Sequence, residues 1–174
     1  MSSGFTVRRA IREDASALTV LGPLTFREAF GSAFPPAFIN ERMGVIYGFG
    51  KVAGDLVDPA QSWFLAEAGA EPVGFLAMAE GPAPGCVVEA APLEISRLYV
   101  REAWHGRGPA FALMEAGLAE AERRKARTLW LQAWERNPKA LAFYRAHGFR
   151  QAGLATVAFG CELLPHLVLT RPLA

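Results

Sequence analysis

The chain has 174 residues, 52% of them hydrophobic, and a formal net charge of +1 at neutral pH. That length is read as a single domain, 1–174, whose core needs no disulfide or metal staple. A charge this close to zero excludes the long-range field that draws a basic protein to nucleic acid or to an anionic membrane.

Residues 5–9, FTVRR, alternate apolar and polar side chains as a half-buried strand does. Glu13 and Asp14 fall where a helix start favours acidic groups, and a helix is predicted over 14–31, with Leu18, Leu21, Leu24, Phe26 and Phe30 apolar. Gly22-Pro23 interrupts it, which predicts a kink or two successive helices. Phe26 and Phe30 are either core residues or the apolar wall of a substrate site. Residues 32–51 carry Pro35-Pro36, glycines and aromatics. A short helix over 37–43 is all that their pattern supports, and their composition fits a mobile flap. SWFLAE (62–67) and VGFLAMA (73–79) read as strands joined by a hairpin connection at 69–72. Residues 80–92, rich in Pro and Gly, read as a loop with a short edge piece at 86–88.

The next stretch, LEISRLYVREAWHGRGPAFALM (93–114), reads as strand, glycine turn and helix. Residues 93–100 are short and apolar apart from Glu94 and Arg97, as suits a buried strand. His105-Gly106-Arg107-Gly108 cannot continue it, and Pro109 suits the first position of a helix because it has no amide to lose there. Phe111, Leu113, Met114, Leu118 and Ala121 then recur at helical spacing. Backbone amides are thus offered at a helix start, where the dipole and the unpaired donors favour an anion such as a pyrophosphate. Neither a Walker loop nor a dinucleotide fingerprint is present.

TLWLQAW (128–134) is a second buried strand, and strand, helix, strand in that order imply a right-handed crossover with the two strands parallel. Asn137-Pro138 starts a helix with Asn as cap; Ala140, Leu141, Phe143 and Tyr144 form its apolar stripe, and Gly148 stops it. Two strands near 155–162 and 166–170 complete a β-α-α-β-β-β-α-β-α-β-β order, a mixed α/β fold with one central parallel crossover.

Two motifs now stand at a telling distance. HGRGPA resembles the coenzyme-binding signature of the Gcn5-related N-acetyltransferase (GNAT) superfamily, and NPKALAFYRAHGF resembles its second recognition segment. TFREAF, VGFLAMAEGPAP, EISRLYV and QAWERNPKALAFYRAHGF are similar to the subgroup of PaiA-like polyamine acetyltransferases. The resemblance implies the GNAT fold, a mixed, mostly antiparallel sheet with a central parallel β-α-β crossover flanked by helices. It also implies acetyl-CoA as co-substrate, held where the two parallel strands splay apart. Leu98, Tyr99 and Val100 would meet the pantetheine arm, and the backbone of Leu98 or Val100 would polarise the acetyl carbonyl. The pyrophosphate would lie on His105, Gly106, Arg107, Gly108, Pro109, Ala110 and Phe111, with Asn137, Lys139, Ala140 and Phe143 as further contacts. His105 departs from the pattern, which has Arg or Gln there.

Catalysis on an amine needs a base, because an ammonium has no lone pair, and an acid for the departing thiolate. The resemblance places the base at Glu94, acting through water, and the acid at Tyr144. The competing readings are a structural Glu94 paired with Arg97 or another cation and an ordinary core tyrosine. Trp63, Trp130 and Trp134 read as core, with Trp134 the one placed to border a substrate channel beside Phe26 and Phe30. His147 and His166 have no partner at ligand spacing, so no metal site is expected. Cys86 and Cys161 receive no nucleophilic role. Glu28, Glu41, Asp55 and Asp58 are the acidic residues that a polyamine channel would draw on. The opening residues lack the apolar core of a signal peptide and no apolar run spans a membrane, so a cytoplasmic location is expected. The activity expected is transfer of acetyl from acetyl-CoA to a primary amine of a small molecule or peptide by direct attack. The alternative is a non-catalytic acyl-CoA sensor or interaction module of the same fold. No nucleic-acid or membrane partner is expected, and a homodimer is left open.

Overall fold

The computed structural model describes residues 4–174. In chain order its elements are β1 (Thr6–Arg9), α1 (Ala15–Phe30), α2 (Pro36–Ile46), α3 (Phe49–Val57), β2 (Gln61–Ala68), β3 (Glu71–Ala79), β4 (Pro92–Val100), α4 (Pro109–Arg123), β5 (Thr128–Trp134), α5 (Pro138–Ala146), β6 (Arg150–Phe159) and β7 (Glu162–Pro172). The strands form a mostly antiparallel sheet in the order β1-β2-β3-β4-β5-β7-β6, and β4 with β5 is its parallel pair. The mixed α/β architecture with its central crossover is as expected. The chain divides into two compact units, Met1–Met78 with Arg97–Ala119 and Ala79–Ser96 with Glu120–Ala174.

In the first unit β1 pairs antiparallel with β2, Thr6 opposite Glu67 and Arg9 opposite Phe64. Arg8 leaves this edge to bind Asp14 and Glu67, each at 2.8 Å, and ties the strand to the entry of α1. The Arg8 guanidinium holds the Asp14 carboxyl below its usual range. Helix α1 runs unbroken through Pro23, so the expectation of two helices is corrected. Pro costs about 3 kcal/mol inside a helix, but the buried stripe of Leu18, Leu21 and Thr25 packs this one in place. Gly22 is no break. A Cβ there would stand 2.3 Å from the Tyr47 ring, so the missing side chain is a seat for that ring.

Residues 32–51, where a short helix over 37–43 was expected, hold α2 and the start of α3. Ile39, Met43 and Tyr47 recur every fourth residue and are all 3% exposed or less, which fixes α2 over a longer span than 37–43. α3 was not foreseen; it buries Val52 and Ala53. β2 and β3 meet in a hairpin at Gly69, φ +63°, and β3 is buried continuously from Val73 to Met78. α4 lies close on β3, for a Cβ on Gly117 would come within 2.7 Å of Leu76 Cδ2.

In the second unit β4 runs parallel to β5 with Pro92 opposite Thr128, Leu93 opposite Leu129 and Glu94 opposite Trp130. β5 has the predicted bounds and pairs antiparallel with β7, from Thr128 opposite Pro172 to Trp134 opposite His166. β6 and β7 are longer than the predicted 155–162 and 166–170, turning at Gly160, with a register shift between Gln151 and Gly153. No strand forms at 86–88; Val87 instead donates its amide to Pro84 O in a turn. Glu120, 4% exposed, is satisfied by Arg123 and Arg124, and Arg124 also pairs with Glu80.

Candidate active site

The turn after β4 belongs to the first unit. A single 3-10 turn, Glu102–Trp104, leads into Gly106 and Gly108, whose φ values of +73° and +103° lie where other residues are strained. The amide of His105 is taken by Glu102 O and that of Arg107 by Trp104 O. The amides of Gly106, Gly108 and Ala110 donate no hydrogen bond among the described residues. Pro109 occupies the first helical position and is buried, as its lack of an amide predicts. Three open N–H groups lie at the start of a 15-residue helix, where the dipole favours an anion. Arg107 is exposed over the face of Trp104, 5.7 Å from its centroid, and adds a cation to the same rim.

His105, the departure from the family pattern, is exposed and folds back onto the end of β4. Its Nε2 lies 2.9 Å from the Val100 carbonyl, and since a carbonyl only accepts, the proton sits on Nε2. The ring thereby fastens the turn to the last residue of β4. Tyr99, one residue earlier, is half-buried and meets Phe26 and Phe30 of α1 at 6.4 Å each; those two rings touch one another at 4.7 Å. Phe26 and Phe30 are thus neither full core nor free surface, and they form one apolar wall with Tyr99. Desolvation pushes the Tyr99 phenol up to about 12, so it stays protonated at neutral pH.

The second unit carries the two residues assigned to proton transfer. Residues paired across strands point to the same side of a sheet, and side chains alternate along each strand. Glu94, Trp130, Gln132, Trp134 and His166 therefore share one face. Glu94 and Trp134 are half-buried on it. Trp130 Nε1 and Gln132 Oε1 are buried there with no hydrogen-bond partner among the described residues, a donor and an acceptor left open. Sequence reasoning passed over Gln132 and treated His166 as an isolated histidine. The alternation in TLWLQAW, which puts Trp130, Gln132 and Trp134 on one side, was the available signal. The competing partner proposed for Glu94 is occupied elsewhere: Arg97 makes no ion pair among the described residues and lies over Tyr47 and Trp63.

α5 brings the second recognition segment into shape. Asn137 Oδ1 accepts from the amide of Ala140 at 3.2 Å, the cap read from the sequence. Leu141 and Tyr144 are its buried residues. Tyr144 is 8% exposed and set edge-on against Phe143 and Phe149, at 5.5 and 5.7 Å. Lys139 and Arg145 are exposed, while Ala140 and Phe143 are half-buried. The ring of Tyr144 is thus packed edge-on against two aromatic neighbours.

Comparison with known proteins accords with this arrangement. The model of the acetyltransferase (GNAT) family matches residues 24–149. An uncharacterised N-acetyltransferase of Mycobacterium tuberculosis is 29% identical over 160 residues, covering 92% of this chain and 98% of that protein. The crystal structure of PaiA N-acetyltransferase from Thermoplasma acidophilum, solved with coenzyme A, superposes with a TM-score of 0.80 at 15% identity, over 99% of this chain and 100% of that one. An acetyltransferase from Thermus thermophilus is 28% identical with a TM-score of 0.63, over 97% of both chains. Among the described residues no helix is long and apolar enough to cross a membrane.

Proposed function

The chain belongs to the acetyltransferase (GNAT) family, and from that premise we propose that it transfers acetyl from acetyl-CoA to a primary amine by direct attack in a ternary complex. The observation that carries the coenzyme half of this reading is the set of open amides on Gly106, Gly108 and Ala110 at the start of α4. They offer a pyrophosphate three donors and the positive end of a helix dipole at once. Arg107 adds charge at the rim. Asn137, Lys139, Ala140 and Phe143 are the further coenzyme contacts, and the Leu98–Val100 stretch of β4 takes the pantetheine amides as an added strand would.

In this mechanism Glu94 accepts the proton of the ammonium through water, which frees the lone pair. Trp130 Nε1 and Gln132 Oε1, open on the same face, supply a donor and an acceptor for that water. The amine nitrogen then forms its bond to the acetyl carbon, the adduct nitrogen gives its extra proton to water, and the collapse of the adduct breaks the carbon–sulfur bond. Tyr144 gives its proton to the leaving thiolate and recovers one from solvent. No covalent enzyme intermediate is required.

The deciding experiment is thiol release from acetyl-CoA against a panel of amines, with mass spectrometry of the product. Product heavier than the amine by one acetyl group supports the reading. Tight coenzyme binding with no release above hydrolysis, for every amine, overturns it in favour of an acyl-CoA sensor.

A further inference from the structure

Within the first unit Arg97 makes no ion pair among the described residues. Arg97 is half-buried on β4, and its guanidinium lies 5.4 Å from the centroid of Tyr47 and 5.2 Å from that of Trp63. Both rings are almost wholly enclosed, at 3% and 2% exposure. Around them Phe75 stacks on Trp63 at 5.9 Å and touches Tyr99 at 5.8 Å, and Tyr99 continues to Phe26 and Phe30. Cation–π contact recovers part of the cost of moving a guanidinium out of water, but a carboxylate with matching fork geometry recovers more. No carboxylate of the described residues provides it. Arg101, four residues on, is the contrast: it has Glu28 at 2.9 Å.

Of the four acidic residues that would serve a polyamine, all but Glu41 are meanwhile committed elsewhere. Glu28 binds Arg101 and the amide of Glu102, Asp55 binds Lys51 at 2.7 Å, and Asp58 accepts from the amide of Ala60. A polycation approaching the wall of Tyr99, Phe26 and Phe30 would meet a positive charge set among the adjoining rings. An anion would meet a guanidinium that lies over two aromatic rings.

We infer that Arg97 is the docking point for a carboxylate on the acceptor, and hence that the substrate class is an amine bearing an acidic group, such as an amino acid, and not a polyamine. The inference rests on the acetyl-transfer reading and specifies its acceptor. The apolar wall of Phe26, Phe30 and Tyr99 then faces the rest of that molecule.

The test compares phenylalanine, phenylalaninamide and spermidine, at a pH where the first two are free bases. It reads both kcat/KM and the melting shift that each ligand gives in the presence of CoA. Expected is a preference for phenylalanine over its amide of roughly tenfold or more, the worth of a charged hydrogen-bonded pair. In Arg97→Met the ratio falls to about one, and Arg97→Lys, which keeps the charge but not the fork, falls between. If wild type treats the acid and the amide alike, or prefers spermidine, the inference is overturned without any variant having to fold. It is equally overturned if the preference survives in a folded Arg97→Met. Absence of transfer to every amine sinks the acetyl-transfer reading instead, and the melting shifts still decide the role of Arg97.

Discussion

In the function proposed above, coenzyme recognition at the turn before α4 is left to the backbone. Gly106 and Gly108 take positive φ, three amides stay open, and the exposed His105 holds the turn to the end of β4. In the wall of Tyr47, Trp63, Phe75 and Tyr99 everything is side chain, gathered from α2, β2, β3 and β4 around a single guanidinium. A backbone cradle fits one chemical group, a phosphate, and accepts little variation. A side-chain wall changes with each substitution, so one fold holds a constant coenzyme and a variable acceptor.

If that division is right, variants of acidic and basic side chains should alter the chemical step and leave the coenzyme alone. Glu94→Gln should lower kcat by about 10²-fold or more, the usual contribution of a general base, with the Kd for CoA unchanged. Tyr144→Phe should lower kcat by less, because water can protonate a thiolate, again without loss of coenzyme affinity; rapid-quench turnover beside calorimetric titration separates the two quantities. A parallel loss of CoA binding in either variant would break the division.

The next effect lies on the opposite side of the comparison. Gly108→Ala forces a side chain into φ +103° and sets its Cβ 3.4 Å from the Phe5 ring. Strain of this kind costs about 1–3 kcal/mol. The turn should reopen, and the Kd for CoA rise about tenfold, while kcat at saturating coenzyme stays close to wild type. Titration of CoA into the variant, with a melting curve to show that it folds, reads this directly.

These two sides were not equally legible. The turn could be read because its instructions are local: glycines where φ is positive, a proline where an amide would be spare, an asparagine before α5. The bounds of β5 came out as predicted for the same reason, a short apolar run ended by turn residues. α3 could not be read, since Phe49 and Val57 are exposed at 58% and 59% while only Val52 and Ala53 are buried, and its apolar pattern marks no single face. Arg97 looked like a partner for Glu94 because sequence shows neighbours along the chain; its actual partners, Tyr47 and Trp63, come from other elements. Gly22 was read only in part. Beside Pro23 it looks like a helix break, yet its use is the space that it leaves to Tyr47.

Gly22→Ala therefore tests the wall as Gly108→Ala tests the turn. With a Cβ 2.3 Å from the ring, Tyr47 has to move, and overpacking of this sort costs about 1–3 kcal/mol of stability. Displacing Tyr47 also removes one of the two rings that Arg97 lies over. The variant should melt lower and discriminate less between acceptors, with CoA affinity unchanged. Denaturant melts and acceptor kcat/KM ratios check both parts.

The smallest effect is expected where neither region reaches. Arg8 is 41% exposed and pairs with Asp14 and Glu67 at the entry to α1. The hydrogen bond from Arg8 holds the Asp14 carboxyl below its ordinary value. A group whose folded pKa is depressed contributes stability above its unfolded value, near 4, and loses it as pH falls through the folded one. Arg8→Met should thus be less stable than wild type at neutral pH, by under about 1 kcal/mol because an exposed ion pair is well screened. The gap should close progressively as the pH is taken below about 4, where wild type also loses the pair. Thermal melts across that range read the effect. Coenzyme affinity and acceptor preference should stay at wild-type values throughout, since Arg8 lies in neither the cradle nor the wall; a change in either would mean that the two are coupled through the edge of the sheet, and the division between backbone-built and side-chain-built recognition would have to be given up.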